Sequence, residues 1–296
     1  MQKNRTHVRI AAFTLAALSG IAVQGPARAV QGNANGCPDN LRTETGVCVA
    51  PVQGGPLTAA QQQEQTDKQA AVAQFRKHEQ QHADAQRAHG GKVDPSYVPP
   101  EDNSGGLYKV PAVVNMTIWK EGEGNGKKSY TCGPAATRNV VGAMNMDQYG
   151  AYRDLGEAQW ASWEGTTTSG TAVGNIASAM NTHLSYGSWK AYKALDKDDY
   201  LSNIAVDTYQ YHQPVVANVD TEELSFFNGK ALDHFDFDYG WDSTDSTSRY
   251  IYIGEEWDPI YTYGSSSYGN PFGKHKESLA NAFRAEDKTS FHKLVV

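Results

Sequence analysis

Tyr130-Thr131-Cys132-Gly133-Pro134-Ala135-Ala136-Thr137 sets a single thiol directly before residues that can only begin a helix. Gly133 permits close approach of backbone, and Pro134 has its φ pre-set for the first helical turn. Ala136, Val140, Ala143 and Met144 then recur at helical spacing. Cys132 is therefore expected at a helix N-terminus. There the unpaired N–H groups and the positive end of the dipole favour thiolate, the form that attacks a carbonyl carbon.

Downstream, the pattern changes period. Ala158–Trp163, Thr171–Leu184 and Asp198–Gln210 read as helices, with the turn-forming run Gly165 to Gly170 between the first two. From Pro214 the pattern turns to strands: Val215–Val219, His234–Trp241, and Arg249–Gly254 running into Glu255-Glu256-Trp257-Asp258-Pro259. Strict alternation in the second of these puts Phe235, Phe237, Tyr239 and Trp241 on one face and His234, Asp236 and Asp238 on the other. His234 thus opens a strand on the face opposite the aromatics. Upstream of the thiol, Tyr108–Ile118 reads as a strand, and the Gly-rich run Glu121 to Gly126 as the loop that leads to Cys132.

The first third of the chain has a different character. Lys3, Arg5 and Arg9 precede an apolar stretch from Ile10 to Val23, and Ala27-Arg28-Ala29 has the small-x-small pattern of a cleavage site. Residues 1–29 are read as a secretory signal peptide, with an apolar run too short for the ~20 residues of a membrane-spanning helix. No other stretch is long enough to span a bilayer. Its removal takes away four basic residues and no acidic one, so the formal charge moves from −7 to −11. A secreted acidic chain is a poor binder of nucleic acid. In an oxidising compartment Cys37 and Cys48, flanking a short loop within segment 30–56, pair with each other and leave Cys132 free.

Segment 57–91 is rich in Ala, Gln, Glu, Lys and Arg, and Thr58 and Gln61 have capping-box spacing, which predicts a long helix. Large apolar residues are few, chiefly Leu57, Val72 and Phe75, so it reads as a solvated arm, a pro-segment or a partner-binding element. It contains His78-Glu79-Gln80-Gln81-His82, a formal match to a zinc-protease helix. The helix is polar all round and no further His stands at the extended spacing, so these residues read as a polar face. Gly90-Gly91 ends the helix, residues 92–106 form a polar linker, and the globular domain runs over 107–296.

Taken together, Tyr130-Thr131-Cys132-Gly133-Pro134-Ala135-Ala136, Gly170-Thr171, His234 on a strand ending Tyr239-Gly240-Trp241-Asp242, and Trp257-Asp258-Pro259 resemble the papain-like cysteine peptidases related to the bacteriocin-processing (double-glycine) peptidases, in the secreted form common in actinobacteria. The resemblance covers about residues 108–265. It implies an α+β papain-like fold, with the nucleophile-bearing helix packed on an antiparallel sheet. It also implies Cys132 as nucleophile, His234 as general base and Asp258 as the orienting carboxylate, acting on a peptide or protein substrate without cofactor or metal. Two positions depart from the family. No Gln lies between Leu107 and Thr131 to donate to the oxyanion, which leaves Asn125 as the nearest side-chain amide, and Asp233 replaces the usual Gly before the His. The same Cys-His-Asp order would serve a transglutaminase, with an amine in place of water, and the missing Gln would suit an inactive binding or structural module on the same fold. A Gly-Gly pair is also what the related peptidases cut, although Ala85 and Ala88 before it are small for apolar pockets.

Overall fold

Among the described residues, six strands form one wholly antiparallel sheet in the order β1-β6-β2-β3-β4-β5: β1 Ala191–Tyr192, β2 Val215–Asp220, β3 Asp233–Asp242, β4 Tyr250–Glu255, β5 Gly273–Ser278 and β6 Leu294–Val295. The structure, a computed structural model, describes residues 37–88, 117–126, 130–149, 154–243, 248–289 and 294–296. The signal segment, Gly90-Gly91, the linker and most of the strand expected over 108–118 lie outside them. Among the described residues, no helix is long and apolar enough to cross a membrane.

Helices cover both faces of the sheet. On one face lie α2 (Cys132–Tyr149), α3 (Glu157–Trp163) and α4 (Val173–His183); on the other lie α1 (Ala59–Ala88), α5 (Lys197–Gln210) and α7 (Leu279–Lys288). Val140, Met144, Ile176 and Met180 meet Phe235 and Phe237 of β3 in the first layer. Ile204, Leu201 and Leu279 meet Val215, Val219 and Ile251 in the second. The expected α+β arrangement, with the Cys132 helix packed on an antiparallel sheet, is present.

The alternation read along His234–Trp241 breaks at one place. Pairing with β4 shifts between Asp238 and Gly240, so Tyr239 is an extra residue and the strand turns over. Phe235, Phe237 and Tyr239 keep to the α2 side, whereas Trp241 falls on the α5 side and meets Phe75 edge-on at 5.4 Å between ring centroids. Asp236 and Asp238 share that layer, fully buried, and Tyr200 donates to Asp238 at 2.8 Å.

Within the segment read as a solvated arm, α1 does not stand free in solvent. Its capping box forms as the sequence predicts, Thr58 Oγ1 accepting from the Gln61 N–H and Gln61 Oε1 from the Thr58 N–H. One side of α1 then lies along α5, with Phe75 buried in the core. Lys68 is buried as well, its ammonium donating to Asp207, Gln213 and the Ser188 carbonyl at 3.1, 2.7 and 3.0 Å. A sparse apolar pattern concealed this docking because a buried ion pair and one aromatic ring carry much of it. Glu79 is also inward-facing, 3.5 Å from Arg249 Nη1, so the zinc-like run offers a carboxylate already committed to a cation.

Candidate active site

Cys132 is the first residue of α2, as the Gly-Pro sequence dictates, and it is buried and lines a cleft. β3 and β4 run antiparallel, so the start of β3 and the end of β4 lie together at one end of the sheet. His234 and the pair Glu255-Glu256 meet there. The cleft has a volume of about 500 Å³, and its lining includes Cys132, His234, Glu44, Glu121, Tyr130 and Trp257.

The carboxylate on the imidazole is Glu255, not Asp258. His234 Nε2 stands 2.8 Å from Glu255 Oε1 and 3.7 Å from Glu256 Oε1, and the ring packs beside the stacked pair Phe227 and Trp257, at 6.0 and 6.1 Å between centroids. Asp258 is taken up elsewhere: it caps α6 (Pro259–Tyr263) through the N–H groups of Ile260 and Tyr261 and pairs with Lys120 at 2.7 Å. Partial burial opposes its ionisation, but those contacts bring its pKa below the ordinary range. Asn125 is likewise spent, donating to Glu157 Oε1 at 3.1 Å.

Burial works against a charged His234, yet the attraction of Glu255, followed by Glu121 and Glu44, raises its pKa above the ordinary value. The thiol moves the same way. Burial, with Glu44, Glu121 and Glu256 around it, pushes Cys132 well above the ordinary thiol range, although the Phe235 N–H reaches the sulfur and opposes the rise. The helix terminus alone therefore does not hold a thiolate here. Three carboxyl groups and the loss of water outweigh it.

The partner of the sulfur is a residue that no local pattern marked. Cys132 Sγ donates to Glu44 Oε1 at 3.8 Å, and Glu44 Oε2 accepts the Thr171 N–H at 2.8 Å. Glu44 comes from the loop closed by the Cys37–Cys48 disulfide, which is present. Burial pushes its pKa up to about 7. Glu121 fills the space before the helix, its Oε1 accepting the Thr131 N–H at 3.1 Å and its own N–H bonding the Glu256 carbonyl at 2.8 Å; burial pushes it up to about 8. Charged residues in a loop or at a strand end normally read as solvated, which is why Glu44, Glu121, Glu255 and Glu256 were not legible. Donor atoms of His234, Glu255 and Glu256 lie within 4.8 Å of one another, a set chemically able to take a divalent cation.

No family model matches this chain, and no curated protein matches it. Among solved structures it is similar to the Amb a 11 cysteine protease, a major ragweed pollen allergen, in its proform: 12% identity and a TM-score of 0.43, over 67% of this chain and 68% of that one. It is similar to digestive procathepsin L 3 of Tenebrio molitor larval midgut, at 12% identity and a TM-score of 0.42, over 80% and 93%. It is also similar to the bromelain protease from Ananas comosus in complex with the E64 inhibitor, at 12% identity and a TM-score of 0.39, over 61% and 92%.

Proposed function

We propose that the chain is a secreted thiol hydrolase that cleaves a peptide or amide bond, with Cys132 as nucleophile, His234 as general base and Glu255 holding the ring. The observation that carries this reading is that Cys132 and His234 line one cleft, with His234 gripped by a buried carboxylate at 2.8 Å. In the reaction, His234 Nδ1 takes the thiol proton, Nε2–H stays directed to Glu255, and the sulfur attacks the carbonyl carbon. The Cys132 N–H, at the open end of α2, is a donor for the oxyanion. The order Cys132, His234 and Trp257-Asp258-Pro259 supports kinship with the double-glycine peptidases, and a disulfide supports an oxidising destination.

A second reading, a binding module on an inactive fold, draws support from Glu44, which occupies the thiol. Alkylation separates the two. Cys132 in a Glu44→Ala variant is expected to react with iodoacetamide near pH 7, and His234→Ala in that background is expected to move the reaction to higher pH by about a unit or more. A thiol that stays inert in Glu44→Ala, or a profile that ignores His234, would leave the binding module.

A further inference from the structure

The seat of Glu44 says what the thiol is built to meet. Thr43 to Val47 form a tight turn, with the Gly46 N–H on the Thr43 carbonyl and the Thr43 N–H on the Val47 carbonyl, each at 2.9 Å. Glu44 is near the tip of that turn. Its backbone rests on a ledge: Thr43 bridges to Ala172 in antiparallel fashion, and Thr45 Oγ1 donates to the Ser169 carbonyl at 2.7 Å. From the ledge the side chain descends to the sulfur and stops with one oxygen 3.8 Å from Sγ and the other on the Thr171 N–H. The contact is a hydrogen bond from the thiol to a carboxyl oxygen, so the seat holds a side-chain carboxyl group against the sulfur.

The cradle is shaped for that group. Gly170 holds φ +94°, and a Cβ there would fall 1.8 Å from Glu44 Oε1, so only glycine admits the carboxyl at this point. A carboxylate present simply to close the fold would be expected to meet a cation. The hydrogen bonds of this one are instead to a thiol and to main-chain N–H groups, those of Thr171 and of Glu44 itself, with His234 a nearby charge. A main chain lying on the Thr43–Ala172 ledge also keeps its own carbonyl a full side-chain length from the sulfur. A side chain two methylenes long reaches it.

We infer that the site takes the γ-carboxamide of a glutamine presented on a turn, and that Glu44 is an intramolecular likeness of the glutamate product. This rests on the Cys132–His234 reading above and names its substrate class. In the step, the Cys132 sulfur bonds to the carboxamide carbon with the Thr171 N–H on its oxygen. The C–N bond then breaks, and ammonia leaves with the proton His234 took from the thiol. Water next attacks the thioester, its proton passing through His234 back to sulfur, and the C–S bond breaks to give a glutamate side chain. Glutamine and water become glutamate and ammonia, and the enzyme is unchanged. The Thr171 N–H supplies the donor that the absent Gln would have given.

The test puts the substrate in place. In the full chain carrying Glu44→Gln, the carboxamide introduced at the seat should be converted to carboxylate, read as the corresponding mass gain on the peptide that contains residue 44. The same substitution with Cys132→Ala should stay unconverted. In parallel, one sample of Glu44→Ala is tested for alkylation by iodoacetamide, and a separate, unalkylated sample is offered a glutamine-containing peptide beside a Glu44→Ala/Cys132→Ala control, with ammonia release and backbone cleavage both followed. Conversion of residue 44, or ammonia release that depends on Cys132, supports the inference. Alkylation of Cys132 with neither, or with backbone cleavage only, overturns it and leaves the thiol-hydrolase reading intact. No alkylation in Glu44→Ala overturns both.

Discussion

His234 Nε2 and Glu255 Oε1 meet at 2.8 Å with both side chains buried, so the ring is fixed by the residue that ends β4 and not by the Asp-Pro pair three positions on. A carboxylate at this range favours imidazolium by about one to three pKa units. Glu255→Gln keeps the shape and removes the charge. In a Glu44→Ala background it should move Cys132 alkylation to higher pH by about a unit or more. Asp258→Ala should leave that profile in place and instead lower stability by about 0.5–2 kcal/mol through loss of the α6 cap. The reverse pattern would return the orienting role to Asp258.

The docking of α1 gives a stability prediction. Lys68→Ala leaves Asp207 buried without its cation, and breaking one half of a buried pair costs about 3–5 kcal/mol. Replacing both partners with apolar residues, Lys68→Met with Asp207→Leu, should recover most of it. Urea unfolding measures both. A loss under about 1 kcal/mol for Lys68→Ala would mean the ammonium is solvated and α1 is held loosely.

Stability should fall as pH rises, the reverse of the usual carboxylate case. Burial pushes Glu44 to about 7 and Glu121, Glu164 and Glu286 to about 8, against about 4.3 in the unfolded chain. Between those values the folded state binds more protons than the unfolded state, so each such group costs stability as pH climbs. His234 adds the same sign: its raised pKa contributes stability below about 6.5 that is lost as pH passes its folded value. Each kcal/mol moves Tm by about 2–4 °C in a domain of this size. Thermal unfolding should give a Tm higher near pH 5.5 than near pH 8 by about 5 °C or more, and a Tm that rises over that interval would show that these carboxyl groups reach water.

What the sequence revealed follows from which forces are local. The start of α2 at Cys132 was legible because Gly133 and Pro134 act on their own backbone, and the Thr58–Gln61 box because it spans one turn. β2, β3 and β4 were legible from their apolar and alternating residues up to Asp238, where the bulge at Tyr239 is imposed by pairing with β4 and leaves no local mark. The site depends on long-range placement. Glu44 is 88 residues from Cys132, and Glu255 is 21 from His234, and nothing within either stretch says that its carboxylate will be buried. Asp258 is flanked by the more conspicuous pattern, but a carboxylate before Pro-Ile-Tyr is equally a helix cap, and that local demand takes it.

The disulfide should govern access to the thiol. Glu44 lies inside the loop that Cys37 and Cys48 close, a separation of 11 residues, and a bridge over a loop of that order contributes about 3 kcal/mol against opening. The turn also has its own hold, through the Thr43–Ala172 bridge and the Thr45–Ser169 bond, so loss of the disulfide loosens it without ejecting it. At 1.4 kcal/mol per factor of ten, the open population, and with it the alkylation rate of Cys132, should rise by at least about tenfold and at most about 100-fold in a Cys37→Ser/Cys48→Ser variant. Thr45→Ala in the same background should raise it further, because it removes the bond to Ser169. If the alkylation rate is unchanged in both variants while Glu44→Ala increases it, the ledge alone holds the turn and the disulfide has no part in shielding the sulfur.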